Sequence, residues 1–294
     1  MSDPIGGQSG RLALIAGNGS LPGQIADALV LAGRDVKIVA IKGEAEAATR
    51  ERASAELGWG EIGRLYNFLE KTGCRDVLLI GGVSRRPDFT SILGDFGTMQ
   101  RLPTIFRTLT GGDDSLLTKV IRLFESEGFR VVGIKDVAPQ LLASSGVLGR
   151  TRPSSDDQHD LELALKATEK LGELDIGQAA VAIGGRVVAL EGAEGTDAML
   201  ERCCELKRSG RVRTKGRSGV LVKTAKRNQD FRVDLPTVGP KTIELAVAAG
   251  LSGVAVEAQG ALIADKDETL KKADAMDIFV IGIERTEEPG ETET

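Results

Sequence analysis

A chain of 294 residues with 38 Lys+Arg against 43 Asp+Glu carries a formal net charge of −5, at 41% hydrophobic and 28% charged residues. These figures fit one large or two ordinary globular domains, and they disfavour a partner held through a phosphate backbone. Aromatics make up 3%, with a single Trp59 and a single Tyr66, too few for a base-stacking surface, so no nucleic-acid partner is expected.

The opening MSDPIGGQSG is polar and glycine-rich, unlike a signal peptide, and residues 1–10 read as a flexible N-terminus. From there apolar runs alternate with helical patterns: "RLALIAG" (11–17) is a strand, "QIADALVLAG" a helix, "DVKIVAI" (35–41) a strand, and "EIGRLYNFLEKTG" a helix. "DVLLIGG" (76–82) is a third strand, 97–127 a broken helical region, and "FRVVGIKDV" (129–137) a fourth strand. Short apolar strands separated by helices predict βαβ units, so 11–149 is expected to be a Rossmann-like parallel-sheet domain.

"GVLGRTRPSSDDQHD" collects Gly, Pro, Ser and Asp, and 150–160 is read as a linker. Beyond it, 161–285 is expected to be a mixed α/β domain. It opens with a helix over "DLELALKATEKL", followed by a hairpin turning at Gly184-Gly185. A helix at 196–210 follows, with Thr196 and Asp197 at its cap and Cys203-Cys204 as ordinary helix residues. Strands are expected at 219–226, 253–265 and 277–284, and a helix at "PKTIELAVAAG" with Pro240 at its start. Residues 286–294 read as a disordered tail.

The side chains narrow the chemistry. Cys74, Cys203 and Cys204 form neither a disulfide framework nor a zinc knuckle, which points to a reducing compartment. No apolar run approaches the roughly 20 residues that cross a bilayer. A cytoplasmic protein is expected. His159 is the only histidine and lies in a polar stretch, so a relay through His is disfavoured and any metal falls to carboxylates, favouring Mg²⁺ or Mn²⁺.

Four stretches could carry chemistry. "IAGNGSLPG" sets Gly17, Gly19 and Gly23 at a strand-to-helix junction, but the spacing is not the dinucleotide fingerprint, and Lys42 stands where the ribose-binding acid belongs. It is either a turn needing glycine or a set of helix-terminal amides facing an anion. Asp113 and Asp114 in "TGGDDSLL" cap a helix, the reading that sequence logic favours, or hold Mg²⁺. "ALEGAEGTDAM" brings Glu191, Glu194, Gly195 and Thr196 to a strand–loop–helix junction. "LVKTAKRNQDFRVDLPTVG" sets Lys223, Lys226 and Arg227 beside Gln229, Asp230 and Asp234. Cations for phosphate oxygens beside a carboxylate suit hydrolytic phosphoryl transfer, and they equally suit a salt-bridged surface loop.

In order along the chain, "LALIAGNGSLP", "GGDDSLL", "VAPQLL" with "GVLG", "ALEGAEGTDAML", "GVLVKTAK" with "QDFRVDLPTVG", and "AGLSGVAVEAQG" resemble the LpxI-type UDP-2,3-diacylglucosamine pyrophosphatase family from about Arg11 to Glu284. The resemblance implies Mg²⁺-dependent hydrolysis of UDP-2,3-diacylglucosamine to lipid X and UMP in lipid A biosynthesis. It also implies a cytoplasmic enzyme or one peripheral to the inner membrane, a dimer, and a ligand between two domains. By the same resemblance Asp234 is the essential aspartate, and it is expected either to coordinate Mg²⁺ or to activate the attacking water. Gly17, Gly19, Leu21, Pro22, Gly195 and Thr196 then contact substrate, with Glu191 or Glu194 as the family's glutamate, Lys223 and Gln229 beside them, and Asp113 and Asp114 as further metal candidates. Phe89, Phe96 and Phe106, with Ile92, Leu93 and Met99, are expected either to pack as helical core or to line an acyl-chain slot. Two readings compete with this one: a binding module on the same scaffold, and a dinucleotide-using oxidoreductase, which Lys42 disfavours.

Overall fold

The computed structural model describes residues 10–83, 98, 116–226 and 229–285. They form two compact units. The first takes the described residues up to Pro139 together with Asp230–Asp234; the second takes Gln140–Gln229 and those from Leu235 onward.

The first unit is built on five parallel strands: β1 (Arg11–Ala16), β2 (Val36–Ile41), β3 (Ala55–Leu57), β4 (Cys74–Ile80) and β5 (Arg130–Val131), in the order β3-β2-β1-β4-β5. Helices α1 (Leu21–Leu31), α2 (Ala47–Glu51), α3 (Ile62–Thr72) and α4 (Leu116–Ser126) connect or flank them. Because β1 and β2 are apolar along their length, both faces of the sheet need cover. Ala13, Ile15, Val39 and Val77 pack in one cluster with Tyr66, Leu69, Ile121 and Phe124 of α3 and α4. Tyr66 also stacks on Phe129 at 5.6 Å and meets Phe124 edge-on at 5.8 Å, so three of the chain's few aromatics close this core. The fourth expected strand is short: only Arg130–Val131 pairs, and α5 (Ile134–Val137) follows at once. Asp136 explains the break, since its Oδ2 accepts from the Gly133 amide at 2.8 Å and starts a helical turn.

The second unit carries β6 (Gly146–Val147), α6 (Ser155–Glu173), β7 (Ala179–Ala182), β8 (Val187–Leu190), α7 (Gly195–Arg208), β9 (Val220–Lys223), β10 (Thr237–Val238), α8 (Pro240–Ala248), β11 (Gly253–Glu257), β12 (Leu262–Ile263), α9 (Lys266–Ala275) and β13 (Phe279–Ile283). Six of these strands make a mixed sheet in the order β6-β13-β11-β9-β7-β8, with β9, β11 and β13 parallel and β10 pairing β12 apart from it. Alternation along β9 divides the core: Val220 and Val222 pack with Leu161 and Ala164 of α6, and Leu221 packs with Met199 and Leu200 of α7 and Ile243 of α8.

Helix α6 begins at Ser155, inside the stretch that composition reads as a linker. Ser154 accepts from the Asp157 amide while Asp157 accepts from Ser154, a capping box that absorbs two of the polar residues. Asp160, 2% exposed, absorbs a third by accepting from the amides of Gly184 and Gly185 at 2.9 and 2.7 Å. Those glycines have φ of 59° and 75° and make the two-residue hairpin between β7 and β8. His159 is exposed on α6. The strand expected over 253–265 is two strands, β11 and β12, separated at Ala258–Ala261. Among the described residues no helix is long and apolar enough to cross a membrane.

Candidate active site

In the first unit the strand order places a topological switch between β1 and β4, where α/β sheets bind ligands at the strands' carboxyl ends. The glycine loop lies there. Asn18 and Gly82 exchange backbone hydrogen bonds of 2.7 and 2.9 Å, and the Gly17 amide donates to Ile80 at 2.9 Å. A Cβ on Gly17 would stand 2.4 Å from the Gly82 oxygen, so a packing contact between the two strand ends accounts for this glycine. Gly19, at φ 95°, meets nothing with a Cβ; its amide donates to the Asn18 side chain at 2.7 Å. Leu21 and Pro22 start α1, and Pro22 is buried.

The same strand ends open an apolar cavity of about 280 Å³. Ile15 and Gly17, Val39 to Ile41, Leu79 to Gly81, and Leu65 and Tyr66 of α3 line it; Trp59 and Glu61 stand among them. Among the described residues Glu61 is the charged one in the lining. Its carboxyl is held below the usual range first by the Gly58 amide, which donates to it at 2.8 Å.

Val233 is a further lining residue, and it comes from far along the chain. It sits one position before Asp234, in the segment Asp230–Asp234 that packs with the first unit. Val233 packs against the Tyr66–Phe124 core. Arg232 donates to Asp230 and, at 2.8 Å, to Glu125 of α4. The Asp230 carboxyl lies below its ordinary value because of that guanidinium, and Arg232 is raised in turn, chiefly by Asp230. The Asp234 amide donates to the Asp230 carbonyl at 3.2 Å, closing a turn with its carboxylate part-buried. The acid singled out by sequence is therefore pinned to the first unit by an apolar anchor and an ion-paired arginine.

In the second unit the site residues gather at the carboxyl end of the parallel strands. Lys223 closes β9, 9% exposed, and donates to the Thr237 carbonyl at 3.1 Å. Glu191, 6% exposed, leaves β8; its Oε1 accepts from the Thr196 hydroxyl at 2.5 Å and its Oε2 from the Gln178 amide at 2.9 Å. Thr196 thus bonds to Glu191 instead of capping its helix, which starts one residue earlier at Gly195 (φ 82°) behind Glu194. Glu194 is exposed and pairs with Arg202 at 3.3 Å. Gln229 accepts from the Lys226 amide through Oε1 at 2.9 Å. Its Nε2 and the Oε1 of Gln178 are buried without hydrogen-bond partners among the described residues.

Cys203 is buried and Cys204 half-buried on α7; burial pushes the Cys203 thiol up to about 11, so neither is an activated nucleophile. Asp113, Asp114 and the phenylalanines 89, 96 and 106 lie outside the described residues. Among the described residues no three His, Cys, Asp or Glu side chains form a metal-binding group.

Comparison with known proteins agrees with these motifs. Residues 11–141 match the family model of the LpxI N-terminal domain and residues 144–281 that of the LpxI C-terminal domain. The chain belongs to the LpxI family. It is 38% identical over 279 residues to the protein named UDP-2,3-diacylglucosamine pyrophosphatase LpxI of Caulobacter vibrioides, covering 95% of this chain and 99% of that one. The chain has the α/β architecture expected from the strand–helix alternation. Two of its features escaped sequence reasoning: the Val233 contribution to the first unit, and Gln178, whose only sequence signal is an amide at the mouth of the apolar run "AAVAI".

Proposed function

We propose that this chain hydrolyses the pyrophosphate linkage of UDP-2,3-diacylglucosamine, releasing UMP and the 2,3-diacylglucosamine phosphate known as lipid X. The observation that carries the reading is the similarity to the Caulobacter protein of that name across 95% of the chain. The side chains support it. Asp234 is the acid of the "QDFRVDLP" segment, and Asp230 and Val233, both just before it, are held in place on the first unit. Lys223 and the amides at the start of α7 offer positive charge to phosphate oxygens.

Mg²⁺ fits this donor set in one way. The described carboxylates do not build a complete cage, and Mg²⁺ is commonly held by one or two carboxylates with substrate phosphates and water completing its shell. Asp234 would be the protein ligand, and a bound ion would offset phosphate charge and lower the pKa of the attacking water. The apolar cavity beside Val233 suits an acyl chain, its size lying near the low end of small-ligand pockets (roughly 300–1,000 Å³). A homodimer, cytoplasmic or resting on the inner membrane, belongs to the same reading; light scattering and vesicle flotation test those two points.

The deciding experiment is incubation with UDP-2,3-diacylglucosamine, with and without Mg²⁺, following UMP. Wild-type protein should release UMP only with the ion. Asp234→Ala should bind substrate with kcat lowered by several orders of magnitude. Tight binding by wild-type protein without UMP release would make the chain a carrier, and turnover by Asp234→Ala would remove the aspartate from the mechanism.

A further inference from the structure

A polar network runs along the carboxyl edge of the six-stranded sheet, and half of it has no role in the reading above. It begins where Thr196 donates to Glu191 and Glu191 accepts from the Gln178 amide; the Gln178 carbonyl then accepts from the Thr224 amide at 3.0 Å. One residue on, both backbone groups of Ala225 are taken by charged side chains, one from the end of β11 and one from just past β13. The amide of Ala225 donates to Glu257 Oε2 at 2.9 Å, and its carbonyl accepts from Arg285 Nη1 at 2.9 Å. The two charges pair at 3.7 Å with side chains 12% and 18% exposed.

The position gives this clamp its meaning. The ladder between β9 and β11 ends at the Lys223–Val256 pair. Beyond it β9 needs another partner, and the Glu257 side chain supplies the acceptor that a backbone carbonyl would have supplied. Burying a carboxylate and a guanidinium carries a desolvation penalty of several kcal/mol per ion, so such a pair is weak evidence for a stabilising role. What it does fix is geometry at the exit of β9, between Lys223 and Lys226, whose amide donates to Gln229. The "VAVEAQG" stretch follows from this: Gly260 leaves the room that the Glu257 side chain occupies, since a Cβ there would lie 2.8 Å from its carboxyl carbon.

We propose that Glu257, held by Arg285, is a positioning residue for the reaction: it locks the backbone at Ala225 and thereby the end of β9 that carries Lys223 and the Lys226 amide that holds Gln229. The proposal rests on the reading that this segment carries the chemistry. A small displacement there moves Lys223 and Gln229, and misplacement of about 1 Å costs on the order of a hundredfold in rate.

The test uses the full chain with Glu257→Ala, Arg285→Ala, Arg285→Lys and Gly260→Ala, assayed below the melting temperature of each. UMP release should fall about 10- to 100-fold in kcat for the two alanine variants of the pair, with KM little changed. Gly260→Ala, which keeps both charges but crowds Glu257, should fall in the same direction. Arg285→Lys should recover part of the loss, and Glu257→Ala/Arg285→Ala should be no worse than the worse single variant. Hydrogen exchange at the Ala225 amide should quicken in Glu257→Ala, a readout independent of turnover. Folded variants with wild-type kcat, or losses that add in the double variant, would overturn the proposal. Failure of wild-type protein to release UMP would instead remove the proposed function, leaving Ala225 exchange to decide the clamp: unchanged exchange in Glu257→Ala refutes it.

Discussion

Gly17 and Gly82 meet backbone to backbone at the ends of β1 and β4, close enough that a Cβ on Gly17 would stand 2.4 Å from the Gly82 oxygen. Neither strand end can retreat cheaply, because the Gly17 amide is bonded to Ile80 and Asn18 exchanges hydrogen bonds with Gly82. Gly17→Ala should therefore destabilise the first unit by about 1–3 kcal/mol, the usual range for forced overpacking, and lower the melting temperature by several degrees. Calorimetry checks this. Unchanged melting with lost UMP release would move Gly17 from packing to substrate contact.

A second expectation concerns acid stability. The Arg232 guanidinium beside Asp230 holds that carboxyl below 3.8 in the folded chain. A carboxylate with a depressed folded pKa contributes stability that is complete above its unfolded value and fades as pH falls through the folded one. Asp230→Asn should thus destabilise at pH 7, by no more than about 1 kcal/mol for a partly exposed pair. The gap from wild type should narrow as the pH drops below 3.8. Urea titrations at pH 7 and at pH 3 measure both, and a gap that widens in acid would contradict the assignment.

The sequence made much of this scaffold legible where one rule acted alone. Apolar runs such as "RLALIA" and "VLLI" admit little besides buried strands, and Gly184-Gly185 between apolar runs admits little besides a hairpin. Legibility failed where two rules competed. In "KDETLKKADA" seven of the ten residues are polar and only Thr269 and Ala273 are buried, so α9 carries no amphipathic signal strong enough to announce it. The "SSDDQHD" stretch has a linker's composition because its acids serve a capping box and a distant hairpin. At the site, Lys223, Glu191 and Thr196 do share one strand edge of the second unit, as a junction of strand, loop and helix suggests. The docking of Asp230–Asp234 onto the first unit was beyond reach, because it depends on Glu125 and the Tyr66 core more than a hundred residues away.

The Thr196–Glu191 bond yields a third prediction. A hydroxyl donating at 2.5 Å to a buried carboxylate leaves that carboxylate short of a partner when removed, at a cost of about 1–3 kcal/mol or more for a charged group. Thr196→Val should lower the melting temperature and UMP release together, and Thr196→Ser, which keeps the donor, should stay near wild type. Should Ser and Val behave alike, the hydrogen bond is not what matters at this position.

The cavity beside Val233 supplies the last. If an acyl chain lies among Ile41, Leu65 and Val120, the protein reads chain length by how many methylenes it can bury. Leu65 is half-buried on α3 and lines the wall, so Leu65→Trp should shorten the space without emptying the core. Each methylene denied burial forfeits about 0.8 kcal/mol, close to fourfold in kcat/KM. The variant should lose ground on long-chain UDP-2,3-diacylglucosamine in such steps, while a short-chain analogue is turned over as by the wild type. Equal losses on both substrates would mean that Trp has damaged the fold; no loss on either would place the acyl chain elsewhere.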